Sequence, residues 1–174
     1  EEPTEGEESQ FTLFSVAAYD VAWYSDAEDG TVTYEIDSAA ELAGLAAIVN
    51  GTAENIAQDS FSGKTVTLTE NIDLADYLDG ESWTPIGTSS NPFKGVFDGD
   101  NKVISNLIIG SESDPVSSTH QGLFGSLYEA VIRNVTVSGS IYTKANYVGG
   151  IAGNTTAATT FDNCKNMASV TGSQ

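Results

Sequence analysis

The chain has 174 residues, 40% of them hydrophobic, and its six Lys and Arg face 25 Asp and Glu, which gives a formal net charge of −19. A chain of this length and composition folds around one sizeable core, while its charge makes nucleic acid and anionic membrane surfaces poor partners. No apolar run reaches the length of about 18 residues that indicates a membrane span. We therefore expect no nucleic-acid partner and no membrane insertion by this chain.

The first part of the chain is the most acidic, because no Lys or Arg precedes Lys64. Residues 1–19 open with EEPTEGEES, a composition that predicts a solvated acidic linker or edge segment. We predict that residues 20–63 form an N-terminal cap with one short helix. Residues 64–174 are then predicted to form the coils of a repeat fold.

The predicted helix spans about residues 38–50. Ser38 and Glu41 have the spacing of a capping box, in which the hydroxyl accepts from a free backbone N–H and the carboxylate reaches back. Gly51 supplies a left-handed stop. An amphipathic helix here would protect the open strand edges at the end of a stack of coils. The apolar residues at helical spacing are Leu42, Leu45, Ala46 and Val49.

A repeat runs through the second half of the chain. An apolar-x-Asn-apolar unit recurs with Asn106, Asn134 and Asn163, which are 28 and 29 residues apart in turn. A fixed period of this size predicts a solenoid, in which each coil buries its core against the next. The three repeats cover residues 93–110, 121–139 and 149–172.

The composition of the repeats indicates the type of solenoid. Stretches such as KVISNLII and VIRNVTV alternate and are rich in β-branched residues, with no helical stripe. We therefore predict an all-β fold, a right-handed parallel β-helix of about three coils with the helix-bearing cap at its N-terminal end. Asn tolerates left-handed backbone and is predicted to form a ladder of amides between coils. Because no second cap follows the last repeat, we expect the native chain to continue into more coils or another domain.

The repeat alignment also predicts a single core. In this alignment Phe97 matches Phe124, and Cys164 occupies the position of Leu107 and Val135. Apolar residues of successive coils should stack on one another. The residues predicted to point into this core are Ile104, Leu107, Phe124, Ile132, Val135, Ile151, Phe161 and Cys164.

Two short segments resemble a known repeat. GLFG (122–125) and GIAG (150–153) resemble the GLUG motif of bacterial surface proteins, and NCKNMASVTG (163–172) is similar to the end of that repeat. The second copy departs from the pattern at Ala152, where a larger apolar residue is usual. The resemblance implies a secreted or cell-surface, adhesin-like protein; the same repeats accompany immunoglobulin-A-cleaving zinc proteases as non-catalytic regions. The upstream segments that resemble the region preceding GLUG repeats are AWYSD, SAAELAGLAAIVNG, FSGKTVTLTENIDL, WTPIG and FKGVFDGDNKVISNL, so the resemblance runs from about residue 20 to 172.

Few residues are suited to catalysis. His120 is the only histidine and Cys164 the only cysteine, so the chain has no H-E-x-x-H zinc centre, no internal disulfide and no evident nucleophilic triad. We interpret His120 as an exposed residue of the polar insertion at 111–120. Cys164 is interpreted as a buried core thiol.

Carboxylates are the remaining catalytic candidates, because many β-helices are polysaccharide lyases or hydrolases that use acids on one face. Asp98 and Asp100 lie in FDGDN, and Asp26, Glu28 and Asp29 lie in DAEDG. Neither segment fits the ligand spacing of a calcium-binding loop. We interpret both as turns.

Aromatic side chains offer a different function, since they can stack on sugar rings. The candidates are Trp83, the pair Trp23–Tyr24, Tyr142 and Tyr147. For Trp83 we favour packing at the junction of cap and coils.

The sequence thus predicts a non-catalytic module at a bacterial cell surface or outside the cell. It would present or space a binding surface for a host or neighbouring-cell protein or glycan, with no catalytic residue, cofactor or metal, and with further domains in the same polypeptide. Two alternatives stay open: a carbohydrate-active β-helix of lyase or hydrolase type, and an accessory region of a secreted metalloprotease. Acids aligned on one strand face beside Lys or Arg would favour the enzyme, whereas a smooth polar face with exposed aromatics would favour binding.

Overall fold

The computed structural model describes residues 18–172, so nearly all of the predicted linker 1–19 lies outside the described residues. Within this range the fold is mostly β with three short helices. The helices are α1 (Ala22–Ser25), α2 (Ala39–Asn50) and α3 (Ala75–Leu78). The strands are β1 (Thr33–Ile36), β2 (Thr65–Leu68), β3 (Ile72–Asp73), β4 (Val96–Asp98), β5 (Val103–Ile109), β6 (Phe124–Tyr128), β7 (Val131–Arg133), β8 (Thr136–Thr143), β9 (Ala152–Thr156), β10 (Thr160–Asp162), β11 (Lys165–Asn166) and β12 (Ser169–Gly172).

The described strands form three sheets, and every pairing between them is parallel. Sheet A has the order β1-β2-β4-β7-β10, sheet B has the order β11-β8-β5-β3 with β12 also beside β8, and sheet C pairs β6 with β9. From β4 onwards the chain enters sheets A, B and C in turn and then repeats that order. Sheet A holds five strands in the described part of the chain.

Helix α2 has the ends that the sequence predicted. Ser38 accepts a hydrogen bond from the backbone N–H of Glu41, and the Glu41 carboxylate accepts one from the N–H of Asp37 at 2.7 Å. Gly51 ends the helix with a φ of 75°. Burial extends beyond the predicted stripe, because the backbone of Asp20 lies against Gly44 on another side of the helix.

Three short elements lie outside the predicted helix and the predicted repeats. Strand β1 lies inside the segment assigned to the cap, yet it pairs in parallel with β2 and forms the edge of sheet A. The helices α1 and α3 have four residues each and were not predicted. Segments this short carry too few residues for a helical periodicity to be visible in the sequence.

The core follows the alternation of the strands. In β1 and β2 every second residue is buried, namely Tyr34, Ile36, Val66 and Leu68. Of the eight predicted core residues, five are fully buried and two, Ile151 and Cys164, are partly buried. The prediction is wrong for Phe161, whose side chain is 44% exposed. The five fully buried residues are Ile104, Leu107, Phe124, Ile132 and Val135.

The alignment of the first repeat with the second is one strand out of register. Ile132 pairs with Phe97 and with Phe161, whereas Ile104 pairs with Val137 in another sheet. The apolar-x-Asn-apolar unit therefore occupies two kinds of place in the fold. Asn134 and Asn163 lie in turns between strands, while Asn106 lies within β5. All three have left-handed backbone, with φ of 58° at Asn106, 53° at Asn134 and 48° at Asn163. This shared conformation explains why asparagine recurs at these positions.

The pairing of β5 with β8 shifts register where Asn106 lies, between Ile104 and Leu107. Gly139 stands opposite this shift with a φ of 147°, and a Cβ atom at Gly139 would lie 2.0 Å from the carbonyl oxygen of Leu107. Only glycine fits this contact without moving the backbone.

Candidate functional site

On the outer face of sheet A, acidic side chains lie in line with an arginine. This is the arrangement that would favour an enzyme. One residue from each strand stands in register, and burial along β1 shows that this row points away from the core. Neighbouring members are about 4.8 Å apart, the spacing of paired strands. We call these residues the outer row: Glu35, Thr67, Asp98, Arg133 and Asp162.

Asp98 is the most tightly held member of the outer row. Its Oδ2 accepts a hydrogen bond from Nε of Arg133 at 2.8 Å, and its Oδ1 accepts one from Nδ2 of Asn134 at 3.0 Å. The backbone N–H of Asp100 donates a further bond to Oδ1 at 3.0 Å. The carboxylate is thus bound by the backbone of its own turn and by side chains at the end of β7.

These contacts favour the ionised form of Asp98. Partial desolvation acts to raise the pKa of Asp98, but the hydrogen bonds from Asn134, from the Asp100 N–H and from Arg133 outweigh it, so the pKa lies below its ordinary value. A carboxylate held ionised by three donors is unsuited to the role of general acid. Asp100 makes a looser ion pair with Lys102 at 3.7 Å.

The predicted amide ladder forms, but it contains Asn101 in place of Asn106. Asn163 donates from Nδ2 to Oδ1 of Asn134 at 3.0 Å and approaches Oδ1 of Asn101 at 3.2 Å. Asn106 lies outside this ladder and donates to Asp73 at 2.7 Å. The ladder ends at Asp98, so its polar groups bind one another at the corner between sheets A and B.

The acidic segment DAEDG forms the turn that the sequence predicted. Asp26, Glu28 and Asp29 are exposed, and Thr31 donates its hydroxyl hydrogen to the carbonyl oxygen of Glu28 at 2.7 Å. Across residues 18–172 there is no group of three or more His, Cys, Asp and Glu side chains placed to hold a metal ion.

His120 lies at the end of the polar insertion and is partly buried. Its ring stacks on that of Tyr147, with centroids 5.0 Å apart and planes 21° apart, and Nδ1 lies 2.8 Å from the hydroxyl of Thr119. Tyr147 is 56% exposed, so this pair presents an aromatic edge to solvent. Of the predicted sugar-stacking residues, Tyr147 is the one the structure leaves most exposed.

The other aromatic candidates belong to the packing. Trp83 is 3% exposed and donates from Nε1 to the carbonyl oxygen of Leu123 at 3.1 Å, as expected for a residue between cap and coils. Trp23 and Tyr24 pack against the rings of Tyr34 and Phe61. None of the rings of Trp83, Trp23 and Tyr24 forms a flat exposed platform.

Cys164 is only partly buried, although a fully buried thiol was predicted. Its Sγ donates toward the carbonyl oxygens of Ile132 and Asp162, each at 3.3 Å, and burial raises the pKa of the thiol. A thiol with a raised pKa is a poor nucleophile at neutral pH. Cys164 corresponds in the fold to Val135, which precedes β8 as Cys164 precedes β11, and not to Leu107.

One polar network was not predicted from the sequence. Tyr24 donates its hydroxyl hydrogen to Asp59 at 2.7 Å, and Lys64 pairs with the same carboxylate beneath the rings of Tyr24, Tyr34 and Phe61. Desolvation raises the pKa of Tyr24, and the neighbouring Asp59 raises it further. The only signal in the sequence is that Lys64 is the first basic residue of the chain.

The insertion at 111–120 does not cover the Asp98 corner. It lines a shallow hollow of about 440 Å³ together with residues 80–82 and Gly110. Four serines line this hollow, and Glu81 and Asp114 line it as well.

Within the described residues, no helix has both the length and the apolar character needed to cross a membrane. No family model matches the chain, and no solved structure matches it. The chain is similar to halomucin from Haloquadratum walsbyi, with 38% identity over 150 residues, and this match covers 80% of the chain. The matched region makes up only 1% of halomucin.

Proposed function

We propose that the chain is a non-catalytic extracellular or cell-surface module, adhesin-like, built as a capped right-handed parallel β-helix with GLUG-type repeats. The observation that carries the non-catalytic part is the environment of Asp98, the acid of the outer row that forms an ion pair with Arg133. Asp98 is bound by three donors from this chain. Asp98 and Arg133 therefore act as a mutually bound pair of polar groups on a surface.

The solenoid part of the proposal is supported by the order in which the chain enters its sheets. Sheets A, B and C are visited in turn, with parallel pairing between successive visits. Parallel strands joined through other elements cross over with a right-handed turn in nearly all proteins, which favours the right-handed form. GLFG and GIAG then occupy equivalent places in sheet C, because Phe124 pairs with Ala152.

The location outside the cell is supported by the similarity to halomucin over most of this chain. A net charge of −19 suits a surface that stays solvated and repels like surfaces. We propose that the partner is a protein or glycan of a host or neighbouring cell, and that further domains of the same polypeptide position this module.

One observation on the outer row favours the alternative function, a carbohydrate-active β-helix. Arg133 stands in register between Asp98 and Asp162, as acids and bases do on the catalytic face of such enzymes. In that case Asp98 would act as an ionised base or charge stabiliser, since its pKa is lowered.

Incubation with a panel of acidic and neutral polysaccharides, with and without calcium, separates the two functions. We expect no release of reducing ends, and the same result for Asp98→Asn. Release that disappears in Asp98→Asn but persists in Asp26→Asn would establish the enzyme. Antibody labelling of intact and permeabilised producing cells tests the location, since a surface module is labelled in both.

A further inference from the structure

A cleft of about 660 Å³ opens between helix α2 and the segment 76–84, and none of its lining residues belongs to the outer row. The volume is within the usual range for sites that bind small molecules or peptide side chains. Neither the sequence patterns nor the proposed function assigns a role to this cleft.

The floor of the cleft is apolar and already formed. Ala46, Leu78 and Trp83 are buried core residues that also line it. The indole N–H of Trp83 is bonded to Leu123, so the ring offers the cleft no polar hydrogen. The small side chains of Ala43 and Ala46 leave room above this floor, because a larger residue in α2 would fill the space.

The rim of the cleft is acidic. Asp76, Asp79 and Glu81 line it, and all three are exposed. No Lys or Arg occurs between Lys64 and Lys94, and none of the three carboxylates joins an ion pair within residues 18–172. Three carboxylates therefore face solvent beside an apolar floor, and no Lys or Arg among the described residues pairs with them.

We propose that this cleft binds a protein segment in which a basic side chain neighbours an apolar one. The apolar side chain fills the floor, and the Lys or Arg pairs with the rim, where removal of water strengthens the attraction. An acidic glycan would be repelled by the carboxylates of the rim. This inference rests on the proposed role as a binding module and names the chemistry of the partner.

The probe is an acetylated, fluorescein-labelled peptide of alternating leucine and lysine, and the comparison peptide has glutamate in place of lysine. Fluorescence polarisation with the full chain should show binding of the lysine peptide alone. The triple variant D76N/D79N/E81Q should weaken binding at least about tenfold, which is about 1.4 kcal/mol. Ala43→Trp, which places a large ring over the floor, should weaken it by about as much.

The control triple variant D26N/E28Q/D29N removes the same charge from an exposed turn that does not line the cleft. It should change the affinity less than about twofold, because only the long-range field is altered. Equal weakening by both triple variants would overturn the proposal, since binding would then follow net charge alone. Unchanged binding in Ala43→Trp would overturn it as well. Circular dichroism confirms that each variant is folded.

Other occupants of the cleft give other results. Self-association in sedimentation that Ala43→Trp abolishes would replace the proposal with a second copy of this chain. Tighter peptide binding by the double variant F11S/F14S would replace it with the chain's own first residues, and binding of neutral polysaccharide lost in Ala43→Trp would replace it with a glycan. Polysaccharide cleavage would refute the proposed function and leave the peptide assay as it stands, so the two failures are distinguishable.

Discussion

Phe161 and Ile132 stand side by side in sheet A, yet Ile132 is fully buried and Phe161 is 44% exposed. Strand β7 has a neighbour on each side, whereas β10 pairs only with β7 among the described strands. The sequence predicted the side to which both residues point, and the difference in burial comes from the number of neighbouring strands.

The pair gives a direct test of coil stacking. Ile132→Ala should reduce the free energy of unfolding by about 2–5 kcal/mol, because it loses buried surface and leaves a cavity. Phe161→Ala should cost only about 1 kcal/mol, because much of its ring already contacts water. Chemical denaturation of both variants measures the difference. An equal loss of unfolding free energy in the two variants would mean that β10 is as well covered as β7.

The ion pair of Asp98 predicts a pH dependence. Its pKa is lower in the folded state than in the unfolded state, so ionised Asp98 stabilises the fold above pH 4 or so, and this contribution is lost as the pH falls through the folded-state pKa. Asp98→Asn should therefore lower the melting temperature at pH 7 and differ less from the wild type at pH 3.

The matched control for this prediction is Asp100→Asn, since Asp100 is more exposed and has only a loose ion pair. It should shift the melting temperature little at either pH. A gap between Asp98→Asn and the wild type that stays constant from pH 7 to pH 3 would contradict the assigned role of the carboxylate.

Gly139 predicts a large effect from one methyl group. In Gly139→Ala the new Cβ atom meets the Leu107 carbonyl at a backbone φ that disfavours side chains, so unfolding should require at least about 2 kcal/mol less. Gly172→Ala is the control, because no heavy atom lies within 4 Å of a Cβ there. Urea titrations compare the two, and a mild effect at Gly139 would show that β5 and β8 separate easily at the bulge.

The excess of acids predicts a dependence on salt. At a net charge of −19 the folded chain repels itself, and counterions screen this repulsion. The melting temperature should rise by several degrees between about 0.05 M and 1 M NaCl. Near the isoelectric point of about 4.1 the same increase in salt should have little effect. A rise of equal size at both pH values would assign the effect to something other than charge repulsion.

The features that the sequence predicted well are local. The ends of helix α2 depend on Ser38, Glu41 and Gly51, each of which bonds to a group no more than four residues away. The alternation in β2 and β8 likewise follows from adjacent residues.

The features that it did not predict depend on register between distant segments. Asn106 and Asn134 share a four-residue pattern and a left-handed backbone, but one lies in a bulge and the other in a turn. The network of Tyr24 and Lys64 joins residues 40 positions apart through a shared carboxylate. The cleft beside α2 arises in the same way, because its floor and its rim come from separate parts of the chain.

The parallel order of sheet A also governs how the chain folds. Paired residues of neighbouring strands are 32, 31, 35 and 29 positions apart, as for Ile36–Leu68, Val66–Phe97, Phe97–Ile132 and Ile132–Phe161. Each strand therefore joins the sheet only after a loop of about 30 residues closes, which makes folding slow for a chain of this size. Closure entropy changes little over this range, by less than about 0.6 kcal/mol, the cost of doubling a loop. The segment between two paired strands can thus gain or lose several residues, as around 111–120, without disturbing the strands that it connects.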